Sequence, residues 1–433
     1  MKGLKKHLSM PALLAKVQLC FKTIPSSVGM RSKLPLSDCL MSALAIFSLK
    51  MPSLLQFEEY LGHENVEHNI KQLYQIGKIP CDTYLRERLD VVEYGHLRKA
   101  FKQLFALVQR QKTLERFKYY EEHYLISLDG TGCFSSHEIH CDACCVKHHQ
   151  DGTVTYYHNM LGAVLVHPDE KTVIPLAPEP ILKQDGTKKN DCELNASKRL
   201  LNDLRREHPH LKTIIVEDAL YANAPHIQLL RSLNMRYIIG VKEGDHGYLF
   251  KTVRSSKIRE KIVQEGGFKR CYRWVNDVPL SESQSDCRVN FLEYEEVSLK
   301  GRRQRFSWVT DIELAPSTVF TVMRGGRARW KIENETFNTL KNQGYHFEHN
   351  FGHGYQYLST VMAMLMFLAF LIDQIQETCC QRFQRALKKM QKKRCLWSRI
   401  RVLFEEYFID SWDLFYDAIE FGHQKSALTL NTS

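Results

Sequence analysis

Hydrophobic positions along this chain follow two periods, and the switch between them divides it. Through the first 120 residues they recur at helical spacing. LSDCLMSALAIFSLK, residues 36–50, predicts a helix that starts from Ser37 or Asp38 as N-cap and stops before Pro52. Further helices are predicted over 54–61, over 81–90 with Asp82 or Thr83 as cap, and over 96–119, the last long and basic. From residue 124 strand-like runs take over: YLISLDG (124–130), TVTYYHNMLGAVLVH (153–167) and the proline-cut TVIPLAPEPIL (172–182). Residues 191–208 return to helical spacing, with Leu194, Leu200, Leu201 and Leu204 able to share one face. Strands at 213–216 and 236–241 then flank a short helix that begins near Pro225. This order predicts antiparallel pairing among the first strands and parallel pairing after the helical crossovers.

Alternating stretches at 270–278, 287–299 and 301–312 predict a β-rich insertion, and RARWKIENETFNTLKN (327–342) predicts a helix behind it. The apolar run 358–372 has only about 15 residues, short of the ~20 that span a bilayer, so it predicts a buried core helix and no membrane association. A basic segment follows, with Arg382, Arg385, Lys388, Lys389, Lys392, Lys393, Arg394, Arg399 and Arg401. A solvated helix face is its default reading and DNA contact the alternative. The fold class is therefore α/β: a mixed sheet with flanking helices, a β-rich insertion, and helical N- and C-terminal regions. The regions run 1–120 (helical, for DNA binding or dimerisation), 121–243 (first part of the core, with a Cys/His-rich loop), 244–316 (the insertion), 317–375 (the helices completing the core) and 376–433 (the basic tail).

A chain of 433 residues can bury a large core, and its net charge of +11 suits a partner rich in phosphate without marking a basic tail protein. Thirteen cysteines, an odd number, and the lack of an apolar leader behind MKGLKKHLSM predict reduced thiols in a cytoplasm.

Three acidic residues carry the candidate chemistry. Asp129 closes the apolar run of its strand, Asp218 closes KTIIVED, and Glu333 lies on the 327–342 helix. A carboxylate at the end of a buried run gains nothing there by itself, whereas three can hold hard divalent cations, which prefer oxygen ligands. Taken singly, each has a plainer reading: a turn-capping Asp before Gly130, an N-cap at Asp218, a surface helix acid at Glu333. A second constellation is CFSSHEIHCDACCVKHHQDGTVTYYH (133–158). Cys141, Cys144, His148 and His158 form a candidate zinc set of two thiolates and two imidazoles. His149, Cys145, His137 and His140 leave the ligand choice open, and a loop without metal is the competing reading. Asp191 and Glu193 are read as helix-capping acids. GYHFEHNFGHG (344–354), with His346, Glu348, His349 and His353, is read as a turn that packs or contacts DNA rather than as a metal site.

LISLDGTG, VEDALYANAP and GRARWKIENETFNTLKNQGY, in that order and with an insertion before the last, resemble the DDE transposases of bacterial insertion sequences. The resemblance covers residues 124 to about 373 and implies a ribonuclease-H-like core. It implies that Asp129, Asp218 and Glu333 bind two Mg2+ (or Mn2+) ions, and that Arg327, Arg329, Lys331 and Lys341 contact DNA beside the scissile phosphate. The family's third block reads Tyr, two residues, Arg, three residues, Glu, six residues, Lys. Here Arg329 and Glu333 match, Gly326 stands in the Tyr place, and Lys341 falls one residue late, behind Leu340. The Arg spacing favours Glu333 over Glu335 as the third acid. The implied activity is metal-dependent cleavage of element ends and strand transfer into target DNA. The implied setting is a homodimer on double-stranded DNA at the nucleoid of a bacterial cytoplasm. The alternative is a decayed, non-catalytic transposase that regulates its element by binding DNA.

Overall fold

The computed structural model describes residues 6–26, 34–183, 192–422 and 429–430. Its centre is an eleven-stranded mixed sheet. The strands are β1 (Tyr124–Ser136), β2 (Cys145–His148), β3 (Val154–Val166), β4 (Ile174–Pro175), β5 (Glu179–Ile181), β6 (Thr213–Glu217), β7 (Arg236–Gly240), β8 (Arg259–Glu265), β9 (Phe268–Pro279), β10 (Arg288–Ser298) and β11 (Arg303–Thr310). They run in the order β2-β3-β1-β6-β7-β11-β10-β9-β8, with β4 and β5 also pairing with β3.

β1 pairs antiparallel with β3 and parallel with β6, and β6 runs parallel to β7, as the strand–helix order predicts. Leu125, Ile126, Leu128, Ile214, Ile215, Val216, Ile238 and Ile239 are all buried, as expected of central strands covered on both faces. The 244–316 region begins with a helix, Gly247–Ser255, that periodicity did not bring out. It continues as the antiparallel ladder β8 to β11, which joins the central sheet through β11 and β7. β1 does not end at Asp129: it runs on to Ser136 because residues 130–136 keep pairing with β3.

The helix Leu358–Cys379 is longer than its apolar run, at 22 residues, and nearly all of it is buried. It packs against Leu36–Ser48, Asp82–Asp90, Arg98–Arg110 and Gln381–Met390, so helices from both ends of the chain share its surface. Lys50 and Asp373 form a buried pair inside this body at 2.7 Å, with the ammonium over the rings of Tyr345 and Trp397.

Three local expectations fail for tertiary reasons. Asp38 does not cap its helix, which begins at Leu36; its carboxylate accepts the Gly77 and Lys78 N–H groups at 3.0 and 3.1 Å. Cys81, not Asp82 or Thr83, stands at the next N-cap, and Asp82 pairs with Arg86. The long basic helix is divided: a 3-10 turn, Tyr94–Leu97, leads into Arg98–Arg110, and Lys112 in the left-handed region (φ 55°) separates that helix from Thr113–Phe117.

Candidate active site

β1 and β6 are in parallel register with Ser127 opposite Val216. Carried two residues further, that register sets Asp218 level with Asp129 on the neighbouring strand, where strands lie ~4.8 Å apart. Asp218 follows the last residue of β6, and its Oδ1 accepts the Leu220 N–H at 2.9 Å, which fixes the turn that leaves the strand. Asp129 faces Gly162 of β3. A Cβ at Gly162 would stand 3.0 Å from the Phe337 ring, so glycine there lets the Glu333 helix lie close on the hairpin.

Arg329 joins the first and third acids. Its Nη1 is 2.8 Å from Asp129 Oδ2 and its Nη2 is 2.8 Å from Glu333 Oε1. Ser127 Oγ donates to the Arg329 carbonyl at 3.1 Å and ties the same helical turn to β1. Burial pushes the Asp129 carboxyl up to about 7; Arg329 opposes this, and the hydrogen bond and charge of Glu333 and the charge of Glu193 reinforce it. Glu335, the competing third acid, makes no ion pair or side-chain hydrogen bond among the described residues, whereas Glu333 makes both.

Glu193 enters this site unforeseen. It lies in the first turn of the helix Glu193–Glu207, and its carboxylate accepts a 3.3 Å hydrogen bond from Tyr221 Oη. Burial, then the charge of Asp218, raises its pKa. It lies over Gly130, where a Cβ would run into its carboxylate, so Gly130 is a cradle rather than a turn residue. Its neighbour in the sequence reading, Asp191, lies outside the described residues.

Both departures from the third block have a structural cause. In the Tyr place, a Cβ on Gly326 would collide with the Trp308 indole from β11, so Trp308 fills the volume a larger residue would need. The Lys displacement coincides with a π-helical stretch over Ile332–Phe337. A π-turn absorbs one extra residue, so Lys341 comes into the helical phase that a regular helix would give to residue 340. Leu340 is fully buried, and Lys341 pairs with Glu348 at 2.7 Å.

The four expected DNA contacts are dispersed. Arg329 is engaged by the acids, Lys331 donates to the Glu170 carbonyl at 2.6 Å, and the Arg327 guanidinium lies over the Phe306 ring at 5.2 Å. In the tail, Arg382 pairs with Asp413 and Asp417, Arg385 with Glu420, and Lys393 with Glu377, whereas Lys388, Lys389 and Lys392 are exposed.

The thiol–imidazole constellation assembles with one change of member. Cys141, Cys144 and His158 come together, but the fourth is His353, not His148. His148 lies on β2, paired across to Val154, and is exposed. None of the thirteen cysteines is in a disulfide.

A family model described as the transposase DDE domain matches residues 141–372, a span that holds Asp218 and Glu333 and begins after Asp129. No curated protein matches the chain. Among solved structures, it is similar to a piggyBac transposase in a synaptic complex with hairpin DNA. That likeness has 9% identity and a TM-score of 0.40, and covers 93% of this chain and 78% of the other.

Proposed function

We propose that this chain, which belongs to the transposase DDE-domain family, cuts DNA at the ends of a mobile element and joins the freed ends to target DNA. The observation that carries this reading is the approach of carboxylates from residues 129, 218 and 333, with Asp129 and Glu333 gripped by one guanidinium. Four carboxylates with Glu193, against Arg329 as the cation paired with them among the described residues, crowd a partly buried cleft. Burial there raises the Asp129 carboxyl to about 7 and raises Glu193 as well, shifts that an incoming cation would relieve. Such an all-oxygen donor set fits hard divalent cations. Asp129, Asp218 and Glu333 are the residues that would hold them. When bound, two Mg2+ or Mn2+ ions supply activation of the attacking oxygen and neutralisation of the leaving one.

The chain's own contributions follow from the contacts. Arg329 orients Asp129 and Glu333 toward each other and limits their repulsion before the cations arrive. Glu193, held by Tyr221, adds negative potential behind Asp129 and Asp218. Arg327, Lys331 and Lys341, on the same helical stretch, are within the segment that would meet the phosphate backbone, where cations release counterions. Pairing two element ends implies a homodimer on DNA, in a bacterial cytoplasm at the nucleoid.

The test uses DNA carrying the sequences that flank the gene. Asp129→Asn, Asp218→Asn and Glu333→Gln, made singly, are expected to abolish Mg2+-dependent end cleavage and joining while end binding persists. Full cleavage by any one variant removes that residue from the site. Binding without cleavage by the unaltered chain would favour the non-catalytic regulator instead.

A further inference from the structure

We propose that Cys141, Cys144, His158 and His353 hold a structural zinc ion that staples the β1–β3 hairpin to the loop ahead of the buried Leu358–Cys379 helix. The four donor atoms lie within 4.8 Å of one another. Cys141 Sγ and Cys144 Sγ are 3.9 Å apart, Cys141 Sγ is 3.5 Å from His158 Nε2, and Cys144 Sγ is 3.2 Å from His158 Nε2 and 3.4 Å from His353 Nε2. Zinc–sulfur bonds of ~2.3 Å and zinc–nitrogen bonds of ~2.05 Å at tetrahedral angles require sulfur–sulfur edges of ~3.8 Å and sulfur–nitrogen edges of ~3.6 Å. The four observed edges, 3.2–3.9 Å, lie close to those of a coordination tetrahedron, and 3.9 Å between sulfurs is nearly twice a disulfide bond.

Burial points the same way. Cys144, His158 and His353 are buried, and among the described residues neither imidazole has a hydrogen-bond partner for its Nδ1. Each ring therefore spends its polar contacts on Nε2, facing sulfur atoms that are weak hydrogen-bond partners. Two buried imidazoles without strong partners are costly unless something at the centre binds all four donors. Two thiolates and two imidazoles select zinc over the hard cations of the acid site, and four protein donors leave no open position for catalysis.

The chain prepares this arrangement at both ends. Gly352 (φ 119°) and Gly354 (φ 69°) flank His353 in conformations that favour glycine. The loop beyond it is anchored by Asp90, whose carboxylate accepts the N–H groups of Tyr355, Gln356, Tyr357 and Leu358 at 2.9–3.1 Å. The Phe134 ring stacks on His353 at 4.3 Å. On the hairpin, His158 pairs with Phe134, roughly 15 Å along the strand from Asp129. The metal would thus brace the polar, mostly exposed segment around residues 136–153, which has few apolar side chains of its own to bury.

The experiment is elemental analysis of the reduced full-length protein purified without chelator, followed by cobalt exchange. About one zinc per chain is expected, with tetrahedral thiolate–cobalt absorption after exchange. Cys144→Ser and His353→Ala should each lose both signals, whereas His148→Ala should keep them. If the variants do not fold, cobalt titration of the unaltered apoprotein decides alone. Zinc-free protein that develops no thiolate–cobalt bands overturns the proposal. So does loss of metal in His148→Ala with retention in His353→Ala. Neither result bears on DNA cleavage, so the zinc site and the proposed function stand or fall separately.

Discussion

The acid cluster and the thiol–imidazole cluster draw on the same hairpin and on the same stretch of chain beyond it, yet their chemistry differs throughout. In the first, one arginine joins carboxylates from β1 and a π-distorted helix, the register brings Asp218 at the end of β6 level with Asp129, and Glu333 keeps 42% of its side-chain surface exposed. In the second, soft donors converge at short range and three of the four residues are buried. A site that must admit a substrate keeps charge repulsion in reserve and stays open. A site that only holds the fold together closes. Arg329 bridges Asp129 and Glu333 and offsets their mutual repulsion, whereas among the described residues no charged group bridges the thiols and imidazoles, whose approach the proposed ion would explain.

That contrast can be broken by crossing the readouts. The largest expected effect is Asp129→Asn. It should lower end cleavage by ~10³-fold or more, since metal clamping supplies several kcal/mol and each 1.36 kcal/mol is tenfold. Zinc content should not change; a parallel loss of zinc would mean that the two clusters are one cooperative unit. Next is Cys144→Ser, which should lower the thermal midpoint by roughly 5–10 °C, the shift that a few kcal/mol produces in a large chain. Cleavage per folded molecule at low temperature should stay within about threefold of the unaltered protein, a change of under 1 kcal/mol. A collapse of that rate would give the thiol cluster a direct part in catalysis.

Arg329→Gln sharpens the acid side. Removing one guanidinium from two charge-assisted contacts should cost ~10- to 100-fold in cleavage, partly recovered at high Mg2+ as the cations replace the lost positive charge. No recovery would mean that Arg329 acts on DNA rather than on the acids. The smallest effect belongs to Glu193→Gln, expected at ~10-fold or less, because the residue acts through the field at Asp129 and Asp218. Gly130→Ala, which pushes the same carboxylate aside, should give a similar loss and add little to it, the signature of a shared cause.

Much of this was legible in the chain itself. Asp129, Asp218 and Glu333 each sit in a segment whose apolar period predicts its element, and the contact between Arg329 and Glu333 follows from their spacing of one helical turn. Glu193 was legible only as a first-turn acid, because no local pattern reveals that its carboxylate lies over Gly130 of another element. His353 is 209 residues from Cys144, and spacing rules for metal ligands see only neighbours such as His148. The late lysine and the missing tyrosine read as defects in one dimension. In three, a π-turn absorbs the extra residue and Trp308 occupies the tyrosine's place.

By itself the sequence determined most of the central elements, their order and the types of donor, because periodicity and side-chain chemistry are properties of short segments. The tertiary structure alone decided which donors share a centre. It paired Arg329 with two acids, exchanged His148 for His353, and drew Glu193 beside Asp129 and Asp218. The physical reason is that strand register, glycine clearances and the Asp90 anchor on the His353 loop set angstrom-scale distances between segments far apart in the chain.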